Sequence, residues 1–138
     1  MENKILKELY YLSKKAYKKN EIPVSAIIVK NNKIVAKAYN KKNIKCNAIY
    51  HAEVLCLQKA YRKLKRWNLS DCEMYISLEP CDFCKLLIEE SRIKNVYFIL
   101  SKGNVTNKYY NTKYEQMYCT DNFKFEFLIK NFFKNIRK

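Results

Sequence analysis

With 138 residues, 28 basic against 13 acidic side chains and a formal charge of +15, the chain reads as one domain over residues 1–138, able to bury about two thirds of its unfolded surface without disulfides. No apolar run approaches the roughly 20 residues of a membrane span; the N-terminus reads as free of a targeting segment, and the cysteines then imply a reducing, cytoplasmic compartment, with an organelle of bacterial origin left open. A charge of this size favours a polyanionic partner held through phosphate contacts, although the richness in Lys, Asn, Tyr and Ile with a single Gly also suits AT-rich coding, and the lysines are spread over nearly every segment.

Ile5, Leu9, Leu12 and Ala16 recur at helical spacing, so residues 2–20 read as an amphipathic helix with lysines outside. The runs Val24 to Val29 and Ile34 to Tyr39 flank Asn31-Asn32, which can adopt the left-handed conformations of a hairpin turn. Val54, Leu55, Leu57, Ala60 and Leu64 follow His51 with the period of a buried helix. Met74, Ile76 and Leu78 alternate with Tyr75 and Ser77 as a third strand. A helix over 81–92 then leads into Val96 to Leu100, an apolar run suited to a buried central strand. A strand, helix, strand order of this length is a crossover that makes the third and fourth strands parallel. From Leu100 to about Gln116 the chain is polar and irregular, with a short fifth strand expected near 115–119. Phe125, Leu128, Ile129, Phe132, Phe133 and Ile136 close the chain as one helical stripe, read first as core; its basic end is also placed to touch nucleic acid.

The sole histidine opens His51-Ala52-Glu53, and 27 residues after Glu53 stands Pro80-Cys81-Asp82-Phe83-Cys84. Together they spell H-x-E and P-C-x-x-C, the signature of zinc-dependent nucleobase deaminases. A hydrolytic zinc takes three protein ligands and leaves the fourth position to water, whereas a structural zinc is closed by four. His51, Cys81 and Cys84 make three. Cys81 and Cys84 share one face of a helical turn, and Pro80 suits the helix entry. His51 and Glu53 would lie roughly 200° apart within a regular helix, so they belong at a helix start. Both motifs then deliver ligands from helix N-termini, where the backbone dipole favours thiolate and hydroxide. Glu53, beside the metal but not bound to it, is the catalytic acid and base that moves the water proton to the ring nitrogen and on to departing ammonia. A closed structural zinc would need a fourth ligand from Cys46, Cys56, Cys72 or Cys119; Cys56 reads as a small buried hydrophobe on the helix after His51.

With these residues in view, the chain resembles the bacterial tRNA adenosine deaminases of the cytidine deaminase-like superfamily. The resemblance takes in Glu21-Ile22-Pro23-Val24-Ser25-Ala26, Asn40, His51-Ala52-Glu53-Val54, Met74 through Cys81, Ser91-Arg92-Ile93 and Phe132-Phe133-Lys134. It implies a three-layer α/β/α fold with a mixed central sheet of about five strands, one Zn2+ per subunit, a homodimer, and hydrolysis of the wobble adenosine in a tRNA anticodon loop, that of an arginine tRNA, to inosine. By the same resemblance Asn40 hydrogen-bonds the base and Val24 and Leu78 line its pocket. From the residues alone, Val24 and Leu78 read equally as core and Asn40 as a turn residue. The chain departs from the family at Ser25, where Gly is usual, at Tyr50, at Asp82-Phe83, at Lys85-Leu86-Leu87, and at Ser101 to Thr106, which holds only Gly103 where a Gly-rich segment is expected. Two other functions compete: deamination of a free base or nucleotide of guanine or cytosine type, and a non-catalytic, zinc-stabilised RNA-binding subunit, against which Glu53 argues.

Overall fold

The computed structural model describes residues 2–103 and 111–136. Its elements are α1 (Glu2–Lys18), β1 (Ser25–Lys30), β2 (Lys33–Tyr39), α2 (Ala52–Leu64), β3 (Glu73–Leu78), α3 (Asp82–Glu90), β4 (Asn95–Leu100), β5 (Lys113–Gln116) and α4 (Asn122–Ile136). The strands form one sheet in the order β2-β1-β3-β4-β5. β1 runs antiparallel to both β2 and β3, while β3, β4 and β5 are parallel, so the sheet is mixed and the cytidine deaminase-like α/β fold is present.

Two apolar clusters explain the layering. Ala26 and Ile28 of β1, Met74 and Ile76 of β3 and Phe98 of β4 pack with Cys56, Leu57 and Ala60 of α2 and Ile88 of α3. On the opposite face Ile27 and Val29 of β1 and Ile99 of β4 meet Ile5, Leu9, Leu12 and Ala16 of α1 and Phe125 of α4. Successive residues of a strand point to opposite faces. With helices on both sides, β1 must therefore be apolar at nearly every position, which is why its sequence shows no alternation. Between β1 and β2, Asn31 (φ 50°) and Asn32 (φ 61°) both lie in the left-handed region, the turn whose twist matches a two-residue hairpin.

Ser25 replaces a glycine of the family without strain because α1 receives its hydroxyl. Ser25 Oγ donates to the Leu9 carbonyl at 2.8 Å and accepts from Ser13 Oγ at 2.8 Å, while Ser77 Oγ takes the Ser25 N–H at 3.0 Å. Three elements are thereby stitched at the start of β1.

Several expectations need correction. The fifth strand is Lys113–Gln116 rather than 115–119. Tyr114 is the side chain that reaches the core from it, and one aromatic among polar residues leaves little periodic signal. β4 is an interior strand but not the central one, which is β3. The stripe on α4 is narrower than its period suggests: Phe125, Leu128 and Phe132 are buried, whereas Phe133 and Ile136 are exposed. Residues 104–110, including the Asn104 to Thr106 part of the altered segment, lie outside the described residues.

A buried charge pair joins α3 to the sheet. Lys85 Nζ lies 3.4 Å from Glu79 Oε2, each side chain 4% exposed, and 5.3 Å from the Tyr114 ring. The Glu79 carboxylate also accepts from the Lys102 N–H at 2.8 Å and from Ser101 Oγ at 3.3 Å. Removing one partner of such a pair strands the other charge away from water. Lys85→Ala should cost about 3–5 kcal/mol of unfolding free energy, read from urea denaturation; a loss under about 1 kcal/mol, the range of exposed pairs, would mean the pair is solvated.

Candidate active site

The order of the chain brings two helix starts together at the ends of β1, β2 and β3. His51 is the N-cap of α2, with extended backbone (φ −65°, ψ 155°), and Cys81 is the N-cap of α3 in the same conformation (φ −72°, ψ 170°). Neither side chain makes a capping hydrogen bond to the backbone of its helix, although that is the usual work of a cap. Both turn toward each other. His51 Nδ1 stands 3.9 Å from Cys81 Sγ and 3.5 Å from Cys84 Sγ, and the three atoms lie within 4.8 Å of one another. Pro80 sits one residue before the Cys81 cap rather than at the first helical position, because the helix begins at Asp82; it stiffens the approach to the cap.

The donor set fits zinc. Bond lengths of about 2.3 Å to sulfur and 2.0–2.1 Å to nitrogen at tetrahedral angles require S···N separations of about 3.6 Å, which the two observed distances bracket. His51, Cys81 and Cys84 are the metal-capable group found among the described residues, and Cys46, Cys56, Cys72 and Cys119 are not part of it. Cys56 is fully buried, its thiol directed at the Ala26 carbonyl, as a small core residue would be. Among the described residues, the trio is thus open on its fourth side with respect to protein ligands.

Electrostatics around the trio follow from burial and proton sharing. Cys84 hydrogen-bonds Cys81 and holds that thiol down to about 5, with His51 and Lys102 adding to the effect against the opposing cost of burial. Cys84, as donor and more buried, is pushed up in consequence. A divalent cation held by both sulfurs would displace their protons and accept both as thiolates. The unpaired N–H groups of the first turns of α2 and α3 face the same region and favour that negative charge. Phe83 lies edge-on to the His51 ring at 5.9 Å.

Glu53 is the second residue of α2 and 4% exposed. Burial pushes its carboxyl above the ordinary range, opposed by its own backbone N–H and outweighing the neighbouring charges. His51, Glu53 and Cys81 border a cavity of about 120 Å³. This is well below the ~300–1,000 Å³ of pockets that enclose a drug-sized ligand, so it admits one ring. A larger cavity of about 510 Å³ lies between α1 and the turn before α4, on the far side of the sheet from the metal-ligating trio.

Of the residues expected from the sequence, Val24, Asn40 and Leu78 line this cavity together with His51, Glu53 and Cys81, while Cys84 is fully buried beside His51 and is not part of its lining. Val24 is also a core residue, so the two readings of it hold together. The Asn40 side-chain oxygen accepts the Lys42 N–H at 3.0 Å, which leaves its NH2 group to donate into the cavity. Several residues went unrecognised as contributors, Ile22 and Lys42 on the cavity lining among them. Glu21, fully buried, accepts from the Asn43 N–H at 3.0 Å and the Ile44 N–H at 2.6 Å and so fixes the loop after Asn40. Glu79 and Lys102 also line the cavity. The signal for Glu79 was Lys85, three residues before Ile88 on the inward side of α3, where a lysine requires an acidic partner.

Residues 1–100 match the family model of the cytidine and deoxycytidylate deaminase zinc-binding region. The tRNA-specific adenosine deaminase of Rickettsia bellii is 39% identical over 137 residues, spanning 88% of this chain and 92% of that one. Among solved structures, one from a study of A-to-I editing by tRNA:A34 deaminases at the wobble position of transfer RNA superposes with a TM-score of 0.75 at 20% identity, covering 85% of this chain and all of the other. The guanine deaminase of Bacillus subtilis superposes with a TM-score of 0.69 at 24% identity, over 95% and 94%. At those identities the superpositions speak for the fold alone, and the sequence match carries the assignment. With its metal-ligating trio inside the matched region, the chain belongs to the zinc-binding cytidine and deoxycytidylate deaminase family and, within it, to the tRNA-specific adenosine deaminases.

Proposed function

We propose that this protein hydrolyses adenosine to inosine at the wobble position of a tRNA anticodon, an arginine tRNA being the substrate. The observation that carries the reading is the coincidence of a His51, Cys81, Cys84 trio, a buried carboxylate beside it and a cavity sized for one ring, in a chain that matches a tRNA-specific adenosine deaminase along nearly its whole length.

When bound by the trio, zinc supplies an activated water for attack on the amino-bearing carbon of the base. The residues of the chain do the rest. A carboxylate oxygen of Glu53 accepts one proton of the attacking water and passes it to the adjacent ring nitrogen, then takes the second proton from the hydroxyl now on the carbon and gives it to the amino group, which leaves as ammonia as the carbonyl forms. Its raised affinity for protons suits a group that must hold one between these steps. Asn40 donates from its NH2 group to an acceptor on the ring edge, and Val24 and Leu78 press on the faces of the ring. The cavity excludes a stacked duplex, so the base must be flipped out, which costs least in a single-stranded loop.

We read the functional unit as a homodimer in the cytoplasm. Phe83 and Leu86 are exposed, at 48% and 62%, on α3 beside the metal ligands, an apolar surface that a second copy would cover. No described helix is long and apolar enough to cross a membrane.

Three experiments follow. An arginine tRNA with an ACG anticodon, incubated with the wild-type protein, should show A-to-I conversion by reverse transcription, and free adenosine, guanine and cytidine should not be consumed. Consumption of guanine alone would make this a free-base deaminase. Glu53→Ala should retain zinc while losing about 10²–10⁴-fold in rate, whereas His51→Ala and Cys81→Ser should lose the metal as well. Full turnover by Glu53→Ala contradicts the proton-carrying role. In sedimentation the wild type should run at the mass of two chains and Leu86→Asp at one; a wild-type monomer rejects the dimer.

A further inference from the structure

We infer that Lys42 and Lys102 are a pair of phosphate-binding cations at the mouth of the active site, gripping the backbone of the nucleic-acid strand on either side of the base that enters. The inference rests on the proposed action on RNA and adds to it the groups that distinguish a nucleotide within a strand from a free base.

Both lysines border the 120 Å³ cavity. They reach it from opposite sides, because Lys42 follows β2 and Lys102 follows β4, and in the sheet these two strands enclose β1 and β3, whose ends supply Val24 and Leu78. Each is held by the same device. The Lys42 N–H donates to the side-chain oxygen of Asn40, itself 5% exposed, and the Lys102 N–H donates to the carboxylate of Glu79, 3% exposed. A buried acceptor thus pins the backbone of each lysine beside the opening. The negative charge of Glu79 is balanced by Lys85, so it does not cancel that of Lys102.

Among the described residues no carboxylate lies within 4.0 Å of either ammonium. This contrasts with Lys30, Lys37, Lys124 and Lys130, each of which has an acidic partner. Two unpaired cations beside a cavity that holds only a ring suit an anion that stays outside while the ring goes in. A base in a strand carries one phosphate on each side, and a free base or nucleoside carries none.

The test uses binding of a short RNA hairpin with the target adenosine in its loop, measured against salt with Glu53→Ala protein so that turnover does not intervene. Each phosphate contact contributes about 0.7 to the slope of log affinity against log salt for single strands. Lys42→Ala and Lys102→Ala should each lower the slope by that amount. The double variant should lose about 1.4 in slope and about tenfold in affinity near physiological salt. Lys33→Ala, exposed at the β1–β2 turn at the far end of these strands, should leave the slope as it is. A double variant that behaves like Lys33→Ala overturns the inference. Adenosine 5′-monophosphate should compete poorly with the hairpin; competition as good as the hairpin's at equal concentration would mean that a free mononucleotide is the ligand. Conversion of the hairpin adenosine by the otherwise wild-type enzyme is scored separately: its absence rejects action on RNA, while its presence with an unchanged slope rejects only the lysine pair.

Discussion

The geometry of this molecule depends on two helices beginning at the same point in space. His51 and Cys81 occupy cap positions and forgo the hydrogen bond a cap normally makes to its helix, at a cost of about 0.5–2 kcal/mol each. In return, the His51 nitrogen stands 3.9 and 3.5 Å from the two sulfurs, and all three atoms lie within 4.8 Å of one another. The sheet makes this convergence inevitable. β1 and β3 are neighbours, and α2 and α3 pack on the same face of them, so the loops entering those helices meet above the strand ends. The burial of Cys56, Leu57, Ala60 and Ile88 is therefore part of the metal centre, since it sets where the first turns lie.

Three buried carboxylates surround that centre, each doing something different because each has different partners. Glu21 is saturated by two backbone N–H groups and holds a loop. Glu79 is neutralised by Lys85 and holds another. Glu53 faces the cavity, and burial raises its affinity for a proton. A carboxylate that is desolvated beside a reacting group can take and return a proton. The same residue type thus gives two fixed supports and one chemical tool.

The parts of this arrangement legible in the sequence are those with a local pattern. His51-Ala52-Glu53 and Cys81 to Cys84 carry their spacing in themselves, and the period of Ile5, Leu9, Leu12 and Ala16 or the Asn31-Asn32 pair requires only the near neighbours. Glu79 and Lys85, six residues apart across a helix entry, obey no period, and Glu21 finds its donors 22 and 23 residues away. Such contacts are products of the completed fold. β5 begins two residues and ends three residues earlier than expected for a related reason: its register on β4 is set by pairing, Val96 opposite Tyr114, in a segment too polar to announce its edges. Phe133 and Ile136 mislead in the other direction, because their period matches the buried stripe while the helix extends past the layer it packs on.

The account rests on a zinc ion held by one nitrogen and two sulfurs with a light atom completing the shell. X-ray absorption at the zinc edge of purified protein, with metal content measured on the same sample, tests it directly. One zinc per chain with two sulfurs at about 2.3 Å and two nitrogen or oxygen neighbours at about 2.0–2.1 Å is the predicted result. A shell of three or four sulfurs, or folded protein that binds no zinc, contradicts it.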